Sequence, residues 1–141
     1  MIMMIIYDAT DTIVGRLATK VAKSALLGEK IVIINCEKAI MTGNKENVLQ
    51  KFKSRRDRGI PLKGPYIHRE PEKIVKRIIR GMLPYKTTHG KEALKRIMCY
   101  IGIPDEFKDK KYEVLEKDKI AKLSTLNYLT IREISTFLGA K

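Results

Sequence analysis

The chain has 141 residues, 44% of them hydrophobic, with 29 Lys and Arg against 16 Asp and Glu for a formal charge of +13. That length and apolar content predict one folded domain with a real core and exclude a merely basic tail. No apolar run approaches the roughly 20 residues of a membrane span, and the apolar start lacks the basic flank and cleavage pattern of a signal peptide.

The stretch Met1 to Ile6 reads as the opening of a first strand, which extends through Met3 to Tyr7. Asp8-Ala-Thr-Asp-Thr12 follows, where Asp11 or Thr12 can cap a helix. Ile13, Leu17, Val21 and Ala25 recur every four residues, Val14, Ala18 and Ala22 widen that face, and Gly28 stops it. Ile31-Val-Ile-Ile34 is a continuous β-branched run, as expected of a strand covered on both faces. Strand, helix and strand within about thirty residues predict a right-handed crossover and a parallel sheet.

Asn44 caps a second predicted helix carrying Val48, Leu49 and Phe52. Periodicity then disappears from Arg55 to Arg69, where Gly59, Pro61, Gly64 and Pro65 alternate with basic residues. A loop of this length is uncommon in compact domains unless it is functional or disordered. Pro71 suits the first turn of a third helix, predicted to run to about Leu83 and to end at Pro84. A fourth helix is expected over Lys91 to Met98, leading into a strand at Cys99-Tyr-Ile101. Thr130-Ile-Arg-Glu133 is a capping box that opens a last helix, with Gly139 as its stop.

The charge is concentrated. Lys51 to Arg96 holds 15 Lys and Arg against 4 Asp and Glu, whereas the segments on either side carry a surplus of one each. Such a field attracts a polyanion and does not help the chain fold, because like charges repel. Nucleic acid is the leading partner. On the third helix, Ile74, Val75, Ile78, Ile79 and Met82 fall on one side, and Lys73, Lys76, Arg77 and Arg80 on the other. An ordinary solvated face mixes signs, because opposite charges at i,i+4 attract; this one is wholly basic. Arg55, Arg56, Arg58 and Arg69 offer planar forks that hold phosphate oxygens two at a time, and Lys53 and Lys63 add charge beside them. Backbone amides near Gly59, Gly64, Gly81 and Gly90 can approach a phosphate closely. Lys86, Lys91, Lys95 and Arg96 extend the surface, and Arg16, Lys20 and Lys23 form a lesser stripe on the first helix.

Aromatic residues are scarce in this third: Phe52, Tyr66 and Tyr85, with Phe52 expected to face the core. Readers of single-stranded bases usually offer several rings, so recognition of phosphate, sugar and overall shape is expected. Five like charges in the loop predict mobility in the free protein and ordering on RNA. Cys36 and Cys99 belong to no paired-cysteine spacing and read as reduced thiols. Neither a metal cluster nor a glycine-rich phosphate loop is present, and no cofactor or small-molecule substrate is expected. His68 and His89 could act as general acid or base in RNA processing, but no carboxylate or serine is placed with them. A surface for acidic protein partners is a further alternative. The composition suits a soluble intracellular protein.

Arg80-Gly-Met-Leu-Pro-Tyr-Lys86, followed by Gly90-Lys-Glu-Ala-Leu-Lys-Arg96 and Gly102-Ile-Pro104, resembles the signature of the large-subunit ribosomal protein L-thirteen family. Gly64-Pro-Tyr66 with Arg69 and Pro71, Gly15-Arg-Leu-Ala18, and Val32-Ile-Ile-Asn35 through Gly43 are similar to the family as well. The likeness covers nearly the whole chain, 1–141, in order, and its compact N-terminus resembles the archaeal form. It implies an α/β fold, a three-layer α/β/α single domain around a small parallel sheet, with the basic loop 53–69 as an extension. It also implies a structural, non-enzymatic role in the cytoplasm, in the ribosome: binding folded large-subunit ribosomal RNA during assembly and translation, beside neighbouring ribosomal proteins. Two departures stand out: Ile67, His68 and Glu70 around Arg69, where many relatives have His two residues before the arginine and Ala after it, and Thr88-His89 where relatives are commonly basic.

Overall fold

Met4–Asp8 (β1) and the β-branched run Lys30–Ile34 (β2) pair as parallel strands, with Ile6 opposite Val32 and Asp8 opposite Ile34. The computed structural model describes residues 3–141, so Met1 and Ile2 of the expected opening strand lie outside the described residues. Between the strands runs Val14–Leu26 (α1), which buries Val14, Leu17, Ala18, Val21, Ala22 and Ala25. The apolar recurrence every three to four residues is what seats this helix on the sheet.

The other strands are short: Ile40–Thr42 (β3), Ile97–Cys99 (β4), Glu113–Val114 (β5) and Tyr128–Thr130 (β6). β4 adds to β2 and β5 to β1, both parallel, giving a four-stranded sheet of order β4-β2-β1-β5. β3 and β6 form a separate antiparallel pair. The other helices are Lys45–Arg56 (α2), Pro71–Gly81 (α3), Thr88–Lys95 (α4) and Ile131–Leu138 (α5).

Alternation along the strands divides the interior. Tyr7, Ile31, Ile33 and Ile97 face a large core with α1, α3, α4 and α5. Ile6, Val32 and Ile34 face the opposite side, where Phe107, at the end of the 3-10 turn Asp105–Phe107, packs with Tyr100 and Tyr112. The result is the expected three-layer α/β domain, thick with helices on one face and thin on the other. Among the described residues no helix is long and apolar enough to cross a membrane.

Several local expectations change for physical reasons. Neither Asp11 nor Thr12 caps α1: Ile13 holds that position without a side-chain bond. Thr12 and Ile13 are instead drawn into bridges with Lys119 and Ile40, and Ile13 N–H donates to the Asp118 carbonyl. The nearby carboxylate that does accept bonds is Asp8, whose Oδ1 receives Thr10 N–H (3.0 Å), Thr10 Oγ1 (2.7 Å) and Asn35 Nδ2 (3.0 Å). It ties the ends of β1 and β2 together. The fourth helix starts and stops earlier than expected, because Thr87 Oγ1 accepts from Gly90 N–H and the Arg96 carbonyl is already bonded to Ile31 of β2. The strand that follows is therefore Ile97–Cys99 rather than Cys99–Ile101. α3 likewise ends at Gly81, short of Leu83. The capping box at Thr130 and Glu133 and the stop at Gly139 are as expected.

Cys36 and Cys99 are 63 positions apart in the chain, yet the fold joins them. Cys99 lies opposite Ile33 in the sheet, and Cys36 N–H donates to the Tyr100 carbonyl. Both are free thiols. The neighbouring Cys99 thiol, together with burial, pushes the Cys36 thiol well above its ordinary pKa.

Two measurements test these assignments. Ile79, fully buried on α3, is expected to cost about 2–5 kcal/mol of stability in urea unfolding when changed to Ala. Burial alone would raise the Asp8 pKa, but the bonds from Thr10 and Asn35 outweigh it and hold the carboxyl below its ordinary 3.8. A depressed carboxylate stabilises the fold above its unfolded pKa, and that contribution is lost as pH falls through the folded value. Asp8→Asn is therefore expected to flatten the loss of stability seen on acidification below about pH 4, a region that urea titrations at successive pH values resolve.

Candidate nucleic-acid interface

Pro71 opens α3 in the first turn, where a missing N–H costs nothing. The helix buries Ile74, Val75 and Ile79 and contacts α1, α5 and β4. Its opposite side therefore has to face outward. Lys73 and Arg77 are exposed, and Lys76 and Arg80 are half-buried. Lys73 Nζ lies 3.1 Å from Glu70 Oε1. The exposed Glu70 carboxyl is held below its ordinary value by its own backbone amide and by Lys73. Arg80 places its guanidinium 4.3 Å from the centre of the Tyr85 ring, a cation–π contact that fixes its direction. Arg77 has no ion pair among the described residues.

The basic loop is shorter than the sequence suggests. α2 continues to Arg56, so Lys53, Arg55 and Arg56 occupy its last turn. Cations there oppose the negative end of the helix dipole, which favours extending the helix where periodicity alone had stopped it. Arg55 lies over the Phe52 ring at 5.7 Å. Arg56 reaches Asp57 at 3.2 Å and approaches the Phe137 ring of α5.

The remaining loop, residues 57–70, has internal structure that an absence of periodicity does not reveal. Ile60 and Gly64 form a bridge, with Gly64 N–H bonded to the Ile60 carbonyl at 2.9 Å. Tyr66 folds back so that its hydroxyl donates to the Leu62 carbonyl at 3.0 Å. Ser135 Oγ of α5 holds the Arg69 carbonyl at 2.5 Å. Gly59 stands at φ +81°, and a Cβ there would lie 1.9 Å from the Gly64 oxygen; no other residue fits that crossing.

Two hollows flank this loop. One, of about 480 Å³, lies between α2 and α3 and is lined by Phe52, Arg55, Tyr66–His68, Ile74, Arg77, Ile78 and Gly81. The other, of about 320 Å³, holds Arg56, Arg58 and Arg69 around the turn Gly59–Pro65. Tyr66 and Ile67 line both. Arg55 and Arg77, from different helices, thus meet across one cleft. Lys63 is exposed in the turn, and Lys86 is exposed just after Tyr85.

Other predicted residues stand apart. Lys91 and Lys95 are exposed on α4, which packs on α1. Arg96 is turned inward: its Nη1 donates to the Ala25 carbonyl at the end of α1 (3.1 Å) and its Nη2 faces Glu92 at 3.9 Å. In the lesser stripe, Lys20 is taken up by the buried Asp118 at 2.7 Å. His68 lines the cleft and His89 sits in the first turn of α4, neither bonded to a carboxylate or serine among the described residues. Phe52 packs against the main core as expected but is only half-buried, and its remaining surface lines the cleft; that it, Ile67 and Gly81 line one hollow with Arg55 and Arg77 is what sequence reasoning did not reveal. The Phe52-to-Arg55 spacing was the available signal.

The family described as Ribosomal protein L13 matches residues 2–106. The chain belongs to that family. It is 44% identical to the large ribosomal subunit protein uL13 of Archaeoglobus fulgidus over 95% of this chain and 86% of the relative. The protein of the same name from Methanococcus maripaludis is also 44% identical, over 98% of this chain and 99% of its own length. That of Methanococcoides burtonii is 41% identical over the same shares. The region matched to the ribosomal protein L13 family contains α2, the basic loop, α3 and α4, and so the whole cleft.

Gly59→Ala is expected to open the turn without touching the core. Amide exchange at Gly64 should accelerate markedly while the thermal midpoint moves little; unchanged exchange would contradict the crossing described above.

Proposed function

We propose that this protein is a structural constituent of the large ribosomal subunit in the cytoplasm, held on folded large-subunit ribosomal RNA by the basic end of α2, the loop 57–70 and the outer face of α3. The observation that carries the reading is the meeting of Arg55 and Arg77 across one cleft, with Arg56, Arg58 and Arg69 around the adjoining turn. Cations from separate elements gathered on one side suit a surface of closely spaced phosphates. Membership of a ribosomal protein family supports it and favours it over RNA processing by His68 or His89.

Within this reading the residues divide by task. Lys73, Lys76, Arg77 and Arg80 neutralise phosphates along α3. Arg55, Arg56, Arg58, Lys63 and Arg69 follow the backbone around the loop, with Lys53 at its edge. Lys86, Lys91 and Lys95 carry the charged surface toward α4, and Arg96 acts mainly by fixing α4 to α1. Neighbouring ribosomal proteins meet the remaining surface.

Binding to ribosomal RNA should weaken steeply with salt, since each phosphate neutralised contributes about −0.9 to the log–log slope on duplex DNA and about −0.7 on single strands. The double variant Arg77→Glu, Arg80→Glu is expected to reduce the slope by about two and the affinity by about tenfold or more. Filter binding across a salt series measures both, with circular dichroism as the control for folding. In cell extract the wild type should sediment with the large subunit and the variant should not. A folded variant that incorporates normally would rule the reading out.

A further inference from the structure

The cleft between α2 and α3 is built unlike a surface that only follows phosphates. Its walls combine the Phe52 and Tyr66 rings, the apolar side chains of Ile67, Ile74 and Ile78, and two guanidinium groups at Arg55 and Arg77. Arg55 is already layered over Phe52 at 5.7 Å. Tyr66, though largely exposed, is held at the cleft edge by its hydroxyl, which donates to the Leu62 carbonyl at 3.0 Å beside the Pro61 carbonyl at 3.3 Å. The volume, about 480 Å³, lies in the range of about 300–1,000 Å³ typical of small-molecule pockets.

One wall is left open by the sequence itself. Gly81 ends α3 at the cleft, and a Cβ built there meets nothing within 4 Å. Its backbone is not in the left-handed region either, so neither space nor conformation demands glycine. A larger side chain at this edge of the cleft meets no obstacle.

We infer that this cleft receives a single unstacked nucleotide of the bound RNA, its base packed between the Tyr66–Ile67 ridge and the Phe52 side, its phosphates against Arg55 and Arg77. The inference rests on the RNA-binding reading and adds to it. Apolar walls with ring faces are complementary to a base withdrawn from its helix, and guanidinium planes at the rim suit both the base face and the flanking phosphates. A phosphate backbone alone would gain nothing from Ile67 and Ile78. The scarcity of aromatic residues in the basic third then fits one captured base and not a run of stacked ones.

The test titrates the folded protein with adenosine and uridine 5′-monophosphates, and with ribose 5-phosphate as the baseless control, following amide shifts by NMR. Nucleotides are expected to shift Ile67, His68, Arg77 and Gly81, while ribose 5-phosphate shifts these far less. Gly81→Leu should fill the cleft and weaken nucleotide binding by about tenfold or more. The same variant should keep its thermal midpoint, so that the loss reports the cleft and not the fold. Equal shifts from ribose 5-phosphate and the nucleotides would overturn the inference, as would undiminished nucleotide binding in Gly81→Leu. So would cleft shifts that appear only with a neighbouring ribosomal protein. Failure of the wild type to sediment with the subunit would instead strike the proposed function, so the two failures are distinguishable.

Discussion

The structure depends on how firmly α3 is seated. Ile74, Val75 and Ile79 are withdrawn from water between α1, α5 and β4, and the helix cannot rotate without exposing them. Removing side chains of that size from water contributes about 1.5–3 kcal/mol each. That is enough to hold Lys73, Lys76, Arg77 and Arg80 together on the outer face despite their mutual repulsion. The apolar stripe thus sets where the charge points.

Repulsion is managed unevenly. Several cations are tied to a partner: Lys20 to Asp118, Lys73 to Glu70, and Arg96 to the carbonyl end of α1. Arg80 lies along Tyr85. Arg55 and Arg77 have no carboxylate partner among the described residues, and they face the same cleft. Cations gathered where two helices and a loop converge are what distinguish the candidate interface from the rest of a strongly basic surface. The loop contributes as a braced ridge: Gly59, Gly64 and Tyr66 hold its turn, and Ser135 anchors its end to α5.

Much of this was legible residue by residue. The recurrence of Leu17, Val21 and Ala25 and the β-branched run to Ile34 announced the crossover and the parallel pair. The two faces of α3 followed from helical geometry, and Thr130 with Glu133 announced α5. Two of the misplaced features arose where a long-range partner competed with the local signal. Thr12 looked like a cap but was drawn into a bridge with Lys119. The strand at Ile97 began early because β2 already claimed the Arg96 carbonyl. The two-residue β5 and the 3-10 turn at Phe107 carry almost no periodicity from which to be read.

By itself, the sequence determined that this is one α/β domain, that its charge lies in the middle third, and that α3 has an apolar and a cationic side. Those properties follow from spacing along the chain, and spacing is local. Only the tertiary structure decided that α2 would bring Arg55 and Phe52 beside Arg77 and Gly81, that Lys20 and Arg96 would be engaged elsewhere, and that Cys36 would meet Cys99. Each of these depends on which helix packs on which strand, set by the summed burial of the whole core, and no single stretch of residues encodes it.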